Sequence, residues 1–172
     1  DDALASATLY KGLLPAQYGG ASSAVLDITG KTGNKHDWHG GASIGILSAK
    51  GTIEGPIAKD KASLLVTARR TYMDLFLKAS KDFRDNTLYF YDVNAKLDWM
   101  LNPQNQLFFT FFTSYDCTAV EKMADIRWSN MTFNLKWLHH FKGDSYAQTT
   151  AYYSNYLTDH GVDFLRMKLW YK

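Results

Sequence analysis

One cysteine, three prolines and no apolar run of about 18 residues set the first limits on this chain of 172 residues. A lone Cys117 forms no intrachain disulfide, and it lacks the companions of a zinc site of ordinary spacing. The lack of a long apolar run excludes a membrane-spanning helix. It does not exclude a membrane barrel, whose strands turn only alternate residues toward lipid. Nor is there a basic leader with an apolar core: the chain opens Asp1-Asp2-Ala3-Leu4-Ala5-Ser6. An exported protein with this start has either lost its signal or continues upstream. Charge is nearly balanced at +2, with no Lys/Arg-rich block, which argues against a nucleic-acid partner. Heptads, collagen repeats, low-complexity tracts and internal repeats are absent.

Aromatic residues are plentiful, at 15%. Between Tyr89 and Trp99, the residues Tyr89, Tyr91, Val93, Ala95, Leu97 and Trp99 share one parity, and Phe90, Asp92, Asn94, Lys96 and Asp98 share the other. Period-2 patterning of this kind predicts a strand with one apolar and one mostly polar face. Ten steps of roughly 3.3 Å at roughly 45° of tilt give about 23 Å of height, close to the apolar band of an outer-membrane barrel. The aromatics near both strand ends suit the girdles of such a barrel.

The first 35 residues are rich in Gly, Ala and Ser and weakly patterned, with one short strand expected over Ala24–Thr29. Eight strands are then expected: His36–Leu47, Lys50–Ile57, Ala62–Phe76, Leu88–Leu101, Gln106–Tyr115, Ile126–Phe141, Tyr146–Leu157 and Asp163–Lys172. All three prolines are read as lying outside strand interiors, where they would cost a ladder hydrogen bond. Ala58–Lys61, Asn102–Asn105 and Lys142–Ser145 read as short turns, and Leu77–Thr87 and Asp116–Asp125 as longer, more charged loops. Short and long connections alternating along a meander suit an outer-membrane barrel.

Chemistry is harder to find. His36 and His39, and the adjacent His139 and His140, fall on opposite faces of a strand, so neither pair converges on a metal. Ser22, Ser23 and Asp27 lack a nucleophile elbow, and Gly19-Gly20 and Gly40-Gly41 lack the lysine and spacing of a phosphate loop. No catalytic residue, cofactor or metal ligand is assigned. Arg69 and Arg70 must point to opposite faces, one inward and one toward an interface. The polar-face residues Asp92, Asn94, Lys96, Asp98, Lys136, Arg166 and Lys168 are the lumen-facing candidates. Their charges are of mixed sign, which suits a wet or salt-bridged interior and not a selective ion ring.

The stretch Tyr10-Lys11-Gly12-Leu13-Leu14-Pro15-Ala16-Gln17-Tyr18-Gly19-Gly20, followed by Ser22-Ser23-Ala24-Val25-Leu26-Asp27-Ile28, resembles the plug end of TonB-dependent outer-membrane receptors. Gly51–Ile57, Ala68–Tyr72 and Tyr89–Lys96 are similar to early barrel strands of the Bacteroidota branch, whose members often carry a carboxypeptidase-regulatory-like domain in front. Gln17 stands where the family has an acidic residue, and Ala21 where arginine is common. The resemblance implies an all-β fold: residues 1–35 as the C-terminal end of a plug, and residues 36–172 as about eight strands of a barrel of about 22. It places the plug–barrel junction at Tyr18, Gly19 and Gly20. It also implies TonB-driven import of a scarce, bulky nutrient (siderophore, cobalamin, oligosaccharide or peptide) without covalent chemistry. The partners it implies are outer-membrane lipid, TonB through a region outside this chain, and a surface lipoprotein.

Two other readings fit parts of the pattern. A closed eight-stranded barrel would act as an anchor, and its last strand would pair with its first. A soluble sugar- or lipid-binding β-protein would turn its apolar face inward and be soluble without detergent.

Overall fold

The computed structural model describes residues 3–12, 14–15, 18, 23–120, 124–164 and 167–171, with side chains described through Gly161. The chain is almost entirely antiparallel β. A two-stranded sheet pairs β1 (Leu4–Lys11) with β2 (Ala24–Gly30). An eight-stranded meander follows: β3 (His39–Ile44), β4 (Ser48–Ala58), β5 (Ala62–Thr71), β6 (Thr87–Asn102), β7 (Asn105–Val120), β8 (Ala124–His140), β9 (Tyr146–Phe164) and β10 (Met167–Tyr171). Each strand pairs with its sequence neighbours, and β3 and β10 form the two edges without pairing to each other. The sheet is therefore open, and a closed eight-stranded barrel is not what the ladder order describes.

Five expectations need correction. The third strand ends at Thr71, and Met73–Ala79 forms a short helix, α1. Its Met, Leu and Ala residues favour helix, with Asp74 in the first turn and Lys78 in the last to complement the helix dipole. Asp116–Asp125 is mostly not a loop, because β7 runs to Val120, which pairs with Ala124 at the start of β8. The strand expected over Tyr146–Leu157 likewise continues to Phe164 as β9. Charged residues are tolerated at these ends because one face of the ladder is open to water. Pro56 lies within β4, at the register shift between Pro56 and Ala58. A bulge is where a strand absorbs a residue without an N–H. Finally, β1 was not expected at all. Its Ala- and Ser-rich sequence carries little alternation, and its strand form depends on pairing with β2.

The short turns have local causes. Asn102 Oδ1 accepts the Gln104 N–H at 3.0 Å and Asn105 Nδ2 at 2.9 Å, an Asx-type closure. Asp60 takes the left-handed conformation at φ 62°, which Asp tolerates better than most residues.

Very little of this sheet is packed as a soluble core. Among the described residues the buried apolar side chains are Ala62, Leu65 and Cys117. Large hydrophobic residues are instead exposed, among them Ile53, Trp99, Leu135, Trp137, Tyr153 and Leu157 on the face that carries the odd-numbered residues of β6, while on β9 Tyr146, Tyr152 and Tyr156 are exposed on the other face.

The segment joining the two sheets lies on the opposite face and approaches β5 closely at Gly33. A Cβ added there would sit 2.4 Å from the Leu64 carbonyl oxygen and 2.7 Å from its carbon. Backbone cannot step aside as a side chain can. Gly33→Ala is therefore expected to lift the segment from the sheet and cost about 1–3 kcal/mol, the range for overpacking. Limited proteolysis should show faster cleavage after Lys31 and Lys35 in the variant.

Candidate functional site

Ladder register sorts the side chains of β3 to β9 into two unlike faces. On the first, successive rows read Tyr91–Tyr115–Ser129–Leu157, Val93–Thr113–Met131–Asn155, Ala95–Phe111–Phe133–Tyr153, Leu97–Phe109–Leu135–Ala151 and Trp99–Leu107–Trp137–Thr149. On β4 and β5 the three inner rows continue as Gly51–Ala68, Ile53–Val66 and Gly55–Leu64. These inner rows contain no charged residue. Arg70 marks one boundary, opposite Tyr91, and His139 lies just past the other, at Trp137. Rings run across the band: Phe111 to Phe133 at 4.9 Å, Phe133 to Tyr153 at 6.4 Å, and Tyr91 stacked on Tyr115 at 5.6 Å. Trp38 lies over Gly55, where an added Cβ would meet its ring at 2.1 Å. Trp38, Trp99 and Trp137 thus gather at the end bearing the short turns.

The second face is charged in β4 to β6. Arg69 Nε donates to Asp92 Oδ2 at 2.7 Å, and its guanidinium lies 5.1 Å from the Phe90 ring centre. Lys96 and Asp98 follow on the same side, with Asn94 between Asp92 and Lys96. Lys136 sits across β7 from them, its amine 4.5 Å from the Phe108 ring centre. Farther along β7 to β9 this face mixes the amides and hydroxyls of Thr110, Asn130, Thr132, Asn134 and Ser154 with the rings of Phe112, Trp128, Tyr152 and Tyr156.

The N-terminal segment is tied to the charged part. Lys96 Nζ donates to the Gly30 carbonyl at 2.6 Å, joining the two sheets. Lys35 pairs with Asp98 at 3.1 Å, and Gln106 Nε2 donates to the other Asp98 oxygen at 2.7 Å. Asp98 is only 4% exposed, so this carboxylate exchanges water for two protein partners. The Asn34 N–H donates to Glu54 at 3.2 Å. A groove of about 380 Å³ remains between Lys31 of the segment and His39, Ser43, Thr52 and Glu54 of the sheet.

Tyr18, read as a junction residue, holds the β1–β2 pair together: its hydroxyl donates to Asp27 at 2.8 Å, and its ring lies 5.4 Å from that of Tyr10. Gly19, Gly20 and Arg166 lie outside the described residues. Lys168 stands opposite Asp163 in the β10–β9 ladder, and its side chain lies outside the described set. The histidines do not gather. His36 meets Asp60 at 2.9 Å, whereas His139 meets Asn105 at 2.8 Å. Sequence reasoning missed Lys35, Gly33 and Gln106 as partners of the polar face. Lys35 and Gly33 carry no periodic signal, and Gln106 acts only through its register with β6.

No family model, curated protein or solved structure matches the chain.

Proposed function

We propose that this chain forms the end of a plug and the first strands of an outer-membrane barrel in a TonB-dependent receptor that imports a scarce, bulky nutrient. The observation that carries the reading is the asymmetry of the sheet. An exposed band with no charge in its inner rows backs onto a face whose Lys96 and Asp98 hold the N-terminal segment. Hydrocarbon suits the first face, since lipid tolerates no unpaired charge at depth. A hydrated interior around a plug suits the second. On this reading the turns at 59–61, 103–104 and 142–145 face the periplasm, and α1 lies at the outer side. Residues 1–35 supply the plug end, and residues 36–172 the barrel wall. TonB, gripping a region outside this chain, pulls on the plug, and the solute passes where the N-terminal contacts release.

The open order of the sheet fits a portion of a larger barrel better than a small closed one. The exposed Trp99, Leu135 and Trp137 fit lipid better than the inward core of a soluble binding protein.

A carbene- or nitrene-forming apolar photolabel in outer-membrane vesicles tests the placement. Labelling at Ala95, Leu97, Phe111 and Leu135, with none at Asn94, Lys96 or Thr110, is the expected pattern. Equal labelling of both faces would sink the reading. The transport role is checked by growth on iron chelates, cobalamin, oligosaccharides and peptides as limiting sources. Cells lacking this protein and cells lacking TonB should fail on the same source.

A further inference from the structure

We propose that α1 is an interfacial foot, lying along the phosphate-bearing headgroup layer with Leu75 and Phe76 in the acyl boundary. The inference rests on the membrane placement proposed above and adds a lipid contact outside the barrel wall.

The helix sits beyond the end of the uncharged band, and its anchors belong to the apolar side of the sheet. Arg70 shares a ladder row with Tyr91. Its guanidinium lies 5.5 Å from the Tyr89 ring centre and meets Asp74 at 3.4 Å. Asp74 is 5% exposed, so the helix face carrying it is turned toward the strand end and its charge is matched. Tyr72 bonds back to the Gly45 carbonyl, and its ring lies 6.3 Å from Phe76.

Leu75 is 56% exposed, and Phe76, beside the Tyr72 ring, is 51% exposed. A neighbouring loop adds Phe83. Charge supplies the second argument. Arg70 is neutralised by Asp74, and Arg84 by Asp85 at 3.8 Å. Lys78, Lys81 and Asp82 are exposed and form no ion pair among the described residues, so the amines outnumber the carboxylate by two to one. Two apolar side chains followed by exposed amines, at the level where a girdle of tyrosines ends the band, match acyl chain below and phosphate above. A protein partner would need more than this one-turn patch to bind stably.

Spin labels read the answer. In the intact protein reconstituted in phosphatidylcholine–phosphatidylglycerol vesicles, with Cys117→Ala as background, single cysteines replace Leu75, Phe76, Lys78 and Leu135. Collisions with oxygen and with a water-soluble nickel chelate are compared. Labels at 75 and 76 are expected to favour oxygen severalfold over the label at 78, with 135 deeper still. If 135 favours oxygen while 75 and 76 match 78, the foot is wrong and the barrel placement survives. If 75 and 76 are shielded from both reagents, the helix packs on protein and the proposal fails. If 135 itself favours nickel, the membrane placement falls, and the foot with it.

Discussion

With the uncharged band in lipid, as proposed, Leu135→Arg is expected to cost about 2–4 kcal/mol of stability, the range for a cation facing hydrocarbon near the bilayer midplane. Leu135 is 46% exposed and touches no second layer. In a water-facing sheet the same change would fall within about 0.5 kcal/mol. The gap between those figures makes this a decisive substitution. Asn134→Arg is the paired control. It is one residue away in the same strand, on the face shared with Lys96 and Lys136. Denaturant titration in vesicles should separate the two variants by most of the predicted cost. Equal, small effects would place both faces in water.

Asp98→Ala is the second large effect. The carboxylate is buried, and it joins Lys35 to Gln106. Removing it leaves an amine and an amide facing an emptied site. Breaking a buried pair this way typically costs about 3–5 kcal/mol, and the low end applies because the Lys35 side chain is 24% exposed and can reach water. Asp98→Asn keeps an acceptor for Gln106 and should lose less. The distinguishing readout is local: in the alanine variant, trypsin should cut at Lys31 and Lys35 while the long strands stay protected. Protection equal to the parent protein would mean that the ion pair does not hold the N-terminal segment.

How much of this could be read from the chain follows from which forces act locally. The Tyr89–Trp99 alternation predicted β6 within a few residues, because one-sided burial writes itself into period 2. The Asn102–Asn105 turn was legible from its own side-chain chemistry. What failed had non-local causes. Thr71-Tyr72-Met73-Asp74 looks like a continuing strand until Tyr72 is seen to bond back to the Gly45 carbonyl, 27 residues upstream. Asp116–Asp125 looks like a loop until its residues are paired across β7 and β8. The polar residues of β6 were visible as a set, but their ties to Gly30 and Lys35 were not. A carbonyl oxygen and a lysine far upstream offer no pattern to read.

The order of strands bears on how the molecule comes together. Every ladder of the large sheet joins strands consecutive along the chain, so each hairpin can zip onto the last with little closure entropy. The bond from Lys96 to Gly30 is different, spanning 66 residues. Contacts of such long range form slowly relative to neighbouring hairpins. The leading piece of the polypeptide, although made first, is therefore placed to settle last, docking onto a wall already standing.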